Sequence, residues 1–381
     1  MVPLSGIRKM FNLAQKYRDA INLCVGEPDF DTPDYVVEAA IDAMRKGYTH
    51  YTSNAGLMEF REAAAEKLKK ENGIDADAQT EIIATVGAMG GLSLAMLTIV
   101  NPGDEVLIPD PGFPSYNAQV ILAEGKPVHY PLDEKENFAM SPEKLSRLVT
   151  RKTRAIMLNT PSNPTGTVLN EKHLKAISEI AIENDLLVIS DEPYEAITYE
   201  NFKHISIASL PEMKKKTITT FSFSKSFAMT GWRIGFAVAS KDIASQMNKL
   251  QEHVSVHPSS ISQMAAVAAL RGPRDHLKMM VKEYSERREL IFKELTAMPK
   301  IKCIKPQGAF YVFPDIKAFG RCSEAFAIDM LEKARIAIVP GTAFGENGEG
   351  HVRISYATSK QKIADAMARM KKALARNQKT T

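Results

Sequence analysis

The chain has 381 residues and a formal net charge of +4, with 44% hydrophobic and 25% charged side chains. That length exceeds one compact unit and predicts two domains, each able to bury a core, in an ordinary globular composition. So small a charge, with no basic stripe interleaved with aromatics, argues against nucleic acid as a partner.

The run Lys214-Lys215-Lys216 reads as a solvated loop, and the basic tail from Lys371 to Lys379 as the polar end of a last helix. Cys24, Cys303 and Cys322 are odd in number, far apart and without metal-ligand spacing. They fit a reducing compartment, with no disulfide framework and no metal. No signal-peptide pattern is visible at the start. The longest apolar stretch, Leu92 to Val100, is interrupted by Ser93 and Thr98 and falls far short of a bilayer span. The expectation is a cytoplasmic protein with no membrane partner.

In chain order, Ser5 to Ala14 reads as a short amphipathic helix, and INLCVGEPDF as a short strand ending in a turn at Gly26 to Pro28. Thr32-Pro33 starts a helix that runs to about Lys46. Tyr48 to Gly56 is a hydroxyl- and glycine-rich loop, and Leu57 to Glu71 is helical. Strand and helix then alternate. Ile82 to Val86 is a strand, and a glycine turn at residues 87–91 leads into a helix over Leu92 to Val100. Further strands are predicted at Glu105 to Pro109, Arg154 to Leu158, Leu186 to Ser190, Thr217 to Phe221 and Ile234 to Ala239. Helices are predicted from about Ser115 to Ala123 and from the Asn170 cap to about Glu183. Continuous apolar strands alternating with helices imply a mostly parallel sheet covered on both faces. Long helical patterns follow from about Asp242 to Arg271 and from Pro273 to Met298. Weaker strand signals at Ala309 to Phe313, Ile336 to Val339 and His351 to Ser355 suggest a smaller α+β unit. The expected division is a large domain over 45–280 and a small domain built from 1–44 and 281–381, the break falling in the helix after Pro273.

Between two of those strands sits Lys225, flanked by small hydroxyl residues. A lone lysine there would ordinarily be an exposed loop residue. Taking an ammonium out of water is costly, however, so a buried one lowers its pKa or forms a bond. An amine with lowered pKa is suited to imine formation with an aldehyde or ketone. Ser222 and Arg233 nearby are residue types that hold a phosphate. Gly87, Ala88 and Met89, between strand and helix, would face an anion with backbone N–H groups, although a tight turn explains the glycine equally well. Asp191, at a strand end, is either a turn aspartate or the partner of a cation such as a protonated pyridine nitrogen. Asn163 is a turn asparagine or a site residue. Tyr194 follows Asp191 by one short turn, and Phe113 either packs in the core or covers a flat heterocycle. In HVRIS, Arg353 would clamp an anion if it faces inward, and would be a solvated edge residue if it faces outward.

The runs SNPTG at Ser162 to Gly166, SDEPY at Ser190 to Tyr194, SFSKSFAMTGWRIG at Ser222 to Gly235 and HVRISYA at His351 to Ala357 resemble class I/II aminotransferases of fold type I, the aspartate and aromatic aminotransferases among them. The resemblance covers essentially the whole chain. It implies a large α/β domain, whose mostly parallel seven-stranded sheet is sandwiched by helices, plus a smaller α+β domain. It also implies that Lys225 carries pyridoxal 5'-phosphate as a Schiff base and later shuttles a proton at the substrate Cα. Asp191 would hold the pyridine nitrogen protonated, Asn163 and Tyr194 would bond the ring hydroxyl, and Phe113 would stack on the ring. Ala88, Met89, Ser222 and Arg233 would hold the phosphate, joined by Tyr51 of the partner subunit in a homodimer. Arg353, Asn163 and the backbone of Gly26 would grip the substrate α-carboxylate. The implied activity is transfer of the amino group of an L-amino acid to a 2-oxo acid such as 2-oxoglutarate. A pyridoxal-phosphate lyase and a non-catalytic regulatory domain on the same fold are the alternatives. Pro193 departs from the branched aliphatic of many relatives, and the N-terminal segment is shorter than in many. No arginine or lysine in the recognised loops is an obvious clamp for a second carboxylate, which favours aromatic or broad specificity over strict aspartate.

Overall fold

The computed structural model describes residues 5–377. At its centre is a seven-stranded sheet of β1 (Ile82–Thr85), β2 (Glu105–Asp110), β3 (Lys126–Pro131), β4 (Thr153–Asn159), β5 (Leu187–Asp191), β6 (Thr217–Ser222) and β7 (Gly235–Val238). The spatial order is β1-β7-β6-β5-β4-β2-β3. β7 runs antiparallel to both of its neighbours, and every other pair is parallel. β1, β2 and β7 are buried throughout, as expected of strands covered by helices on both faces. The apolar cluster on one face contains Leu92, Met96, Val106, Ile189 and Met247. On the other, a continuous cluster joins Leu107 and Ile156 to Met10, Leu23, Ile338 and Met367. Each fully buried aliphatic side chain of this kind contributes roughly 1.5–3 kcal/mol.

The register matters more to function than the order. Asn159 pairs with Asp191, and Asp191 with Thr220, so three neighbouring strands present polar side chains side by side at or near their carboxyl ends. Ser222 pairs with Gly235, which fixes both ends of the segment carrying Lys225.

Around this sheet lie two small ones. Ile21–Asn22 pairs in parallel with Ile336–Ala337, and Val352–Ser355 lies between Val339–Pro340 and Tyr311–Val312, antiparallel to both. Both contain or adjoin residues near the chain's end, and the first also takes in the beginning.

Three differences from the sequence reading concern the central sheet and the helices about it. β3 was not expected, because KPVHYP carries two prolines and a lysine; it is the edge strand, the place where a missing N–H does no harm. The predicted glycine turn at 87–91 belongs to the helix, which spans Gly87–Ile99. A Cβ on Gly91 would come within 3.0 Å of Thr220 Cγ2, so the small residue lets this helix lie close on the sheet. The pattern from Asp242 to Arg271 is two helices, Lys241–Val254 and Ser260–Arg271. Pro258 between them lacks the N–H that would continue the first. No helix among the described residues is long and apolar enough to cross a membrane.

Candidate active site

A cavity of about 460 Å³ opens beyond the carboxyl ends of β4, β5 and β6, the usual ligand position in open α/β sheets. A larger cleft of about 930 Å³ beside it shares only Phe113 with it and lacks the lysine and its acidic partner. The smaller cavity brings together Gly26, Ala88, Met89, Phe113, Asn163, Asp191, Tyr194, Ser222, Lys225, Arg233 and Arg353. Tyr51 alone of the expected site residues is outside it: it is 87% exposed, with its ring edge-on to His257.

Lys225 is projected by a single helical turn, Phe223–Ser226, that begins directly after β6. Ser222 Oγ accepts the Ser224 N–H at 3.2 Å and starts that turn. The Lys225 ammonium donates to the Gly26 carbonyl at 2.5 Å. Burial pulls its pKa down to about 8; Glu27 opposes this, while Arg233 and Arg353 add to it. The amine is therefore poised near neutrality.

Asp191 is buried at the end of β5. Its carboxylate accepts from Tyr116 Oη at 2.7 Å and from Thr220 Oγ1 at 3.0 Å. Burial raises its pKa to about 6 against the effect of those two hydrogen bonds. A cation placed against the free lone pairs would reverse that rise. Tyr116, whose own hydroxyl is held protonated by burial and by Asp191, also meets Phe113 edge-on at 5.6 Å between ring centres.

Arg353 faces inward, which decides between its two sequence readings. It is 1% exposed and donates to Asn163 Oδ1 at 2.9 Å and to the Cys24 carbonyl. Its Nε is buried with no partner among the described residues. Asn163 is steered in turn by its backbone N–H, which donates to Asn159 Oδ1 at 2.8 Å. The hydroxyls of Tyr194 and Tyr311 are 2.7 Å apart.

At the other end of the cavity, the helix Gly87–Ile99 opens with no side-chain cap, leaving first-turn N–H groups available to an anion. A Cβ on Gly87, which has φ +64, would lie 2.8 Å from Arg233 Nη2. The absence of a side chain there makes a cradle between the helix start and an exposed arginine.

Several site residues escaped the sequence reading. Tyr116 stands three residues after Phe113 in DPGFPSY, and Tyr311 lies inside a predicted strand; each had a motif or element near it but no sign of its partner. Thr220 depends on strand register, and Ile7 and Arg8 reach the cavity through the packing of the N-terminal helix.

The chain matches the aminotransferase class I and II family over residues 18–370. It is 48% identical over 376 residues to an aromatic-amino-acid aminotransferase of Thermococcus litoralis, covering 98% of this chain and 96% of the relative. It is 49% identical, with the same coverage, to an aspartate aminotransferase of Pyrococcus abyssi. Among solved structures, an aromatic aminotransferase from Pyrococcus horikoshii superposes with a TM-score of 0.93 at 47% identity, covering 98% of this chain and 99% of that one. The aspartate aminotransferase of Thermus thermophilus with maleate gives 0.93 at 37% identity, covering 98% and 97%. With this likeness running through the whole fold, the chain belongs to the aminotransferase class I and II family, on the fold-type I scaffold, and is an amino-acid transaminase.

Proposed function

We propose that the resident cofactor is pyridoxal 5'-phosphate, held by Lys225, and that the substrates are aromatic and acidic L-amino acids with their 2-oxo acids. The observation that carries the reading is a buried lysine with its pKa lowered to about 8, lining the same cavity as the buried acid Asp191. The residues present fit the group. The uncapped helix start, the Gly87 cradle and Arg233 suit a phosphate, and the inward-facing guanidinium of Arg353, which lines the cavity, suits a carboxylate.

When bound, the cofactor supplies an aldehyde to take up the amino group and a ring that accepts electrons from Cα. Lys225 would hold that aldehyde and then, once displaced, move the proton at the substrate Cα as a neutral amine. Asp191 would keep a proton on the pyridine nitrogen, itself kept ionised by the cation it faces. Tyr194 and Asn163 would bond the ring oxygen, Phe113 would cover the ring, and Ala88, Met89, Ser222 and Arg233 would hold the phosphate. Arg353, with Asn163 and the Gly26 backbone, would orient the α-carboxylate so that Cα stands near Lys225. Tyr51 would complete the phosphate site as Tyr51 of the partner subunit in a cytoplasmic homodimer; its exposure together with that of Val254 and Val256 supports this. The division into 45–280 and 1–44 with 281–381 is supported by the central sheet, which falls wholly inside the first range, and by the pairing of Ile21–Asn22 with Ile336–Ala337.

Adding pyridoxal phosphate to protein freed of it tests the reading. A visible absorbance band should form, at a rate that rises with pH through about 8, because burial lowers the lysine pKa and only the neutral amine attacks. A rate that stays flat through that region would sink the assignment.

The range of substrates is favoured by Arg8. Exposed on the Gly6–Ala14 helix, it lines the cavity and has no carboxylate partner among the described residues. A guanidinium can pair with a second carboxylate or stack on an aromatic ring. Arg8→Gln should raise KM for aspartate and 2-oxoglutarate by about two- to fivefold at low salt, and hardly at high salt, as befits an exposed pair. KM for alanine should stay within about twofold, which steady-state assays at two ionic strengths would show.

A further inference from the structure

Tyr311 meets three of the cavity's residues, Arg353, Tyr194 and Gly26. It stands on a short strand paired with Val352–Ser355, the strand that carries Arg353, so its position is fixed relative to that arginine. The Arg353 guanidinium lies 4.5 Å from the centre of its ring. Its hydroxyl is 2.7 Å from that of Tyr194 and has no other hydrogen-bond partner among the described residues. The same oxygen fills the space a side chain at residue 26 would need: a Cβ on Gly26 would lie 1.8 Å from it. The Gly26 carbonyl accepts from Lys225.

Two hydroxyls that share one hydrogen bond can point either way. If Tyr194 donates to Tyr311, its proton is used up. If Tyr311 donates to Tyr194, the Tyr194 proton is free for an acceptor in the cavity, and the two bonds strengthen each other. We propose that Tyr311 is a positioning residue that donates to Tyr194 and so aims the Tyr194 proton at the cofactor's ring oxygen. The cation over its ring draws electron density from the phenol and makes Tyr311 the better donor of the two. The proposal rests on the pyridoxal phosphate reading above and extends it to a residue that reaches the ring only through Tyr194.

The test is a pH titration of the visible band of the holoenzyme without substrate. Tyr311→Phe keeps the ring and should move the midpoint up by about half a pH unit. A weaker Tyr194 bond stabilises the anionic ring oxygen less, so the nitrogen contributed by Lys225 keeps its proton to higher pH. Tyr194→Phe should shift the midpoint further in the same direction, and the double variant no further than Tyr194→Phe alone, since Tyr311 acts through Tyr194. Placing 3-fluorotyrosine at position 311, a stronger donor, should lower the midpoint. That protein also decides the matter if Tyr311→Phe takes up no cofactor. An unmoved midpoint in these proteins, or an additive double variant, overturns the proposal. A wild-type protein that forms no visible band overturns instead the cofactor reading beneath it.

Discussion

Lys225→Ala is expected to fold, to bind pyridoxal phosphate without the covalently held visible band, and to lose at least about 10⁴-fold in kcat/KM for transamination. Two losses combine. The side chain that would hold the cofactor is gone, and so is the amine that would move the Cα proton, a general-base role worth about 10²–10⁴ alone. Folding should survive, because removing a buried ammonium whose pKa is already pulled down to about 8 relieves a burial cost and breaks one bond to a carbonyl. Single-turnover conversion of an amino acid, followed by absorbance, checks both losses. Added methylamine should restore part of the rate if the missing group is a base; transamination retained near the wild-type rate would refute the role of Lys225.

Asp191→Asn should leave the fold and the visible band in place while lowering kcat by about 10²–10³. An amide has nearly the same shape and can still meet the hydroxyls of Tyr116 and Thr220, so little is lost in packing. It cannot keep a proton on the pyridine nitrogen through its own negative charge, and the ring then accepts electrons poorly. KM should change less than kcat, because the loss falls in the chemical step. Asp191→Glu, which keeps the charge at a displaced position, should recover part of the rate. A kcat for Asp191→Asn within about tenfold of wild type would show that the carboxylate serves the fold and not the reaction.

The interior strands were legible in the sequence because strands covered on both faces read as runs of apolar and β-branched residues, as in Leu187–Asp191 and Thr217–Ser222. The edge strand Lys126–Pro131 was not, because an edge strand need not be apolar or free of proline. At the site, residues within the quoted runs were legible: Lys225, Asp191, Asn163, Arg233 and Arg353 are all placed around one cavity. What remained hidden depended on contacts between distant segments. Tyr116 and Asp191 are 75 residues apart and Tyr194 and Tyr311 are 117 apart, and nothing local in either segment announces the other. The direction of Arg353 was open for the same reason: alternation gives two faces, and only the packing says which is inside. Arg8 had no local sign at all, since it comes to the cavity on a helix joined to the site only by tertiary packing.

The reversed course of β7 has one more effect. A strand running with the others would bring its last residues to the ligand edge, whereas this one brings its first. Lysine and arginine are therefore borne on the outgoing and incoming limbs of a single arch pinned at Ser222 and Gly235. Such an arch can absorb altered side chains, but gaining or losing even one residue must rotate one cation away from the other or slide a whole strand past its neighbours. The spacing between the two charges is thus set by chain length, much as a staple's span is set by its crown.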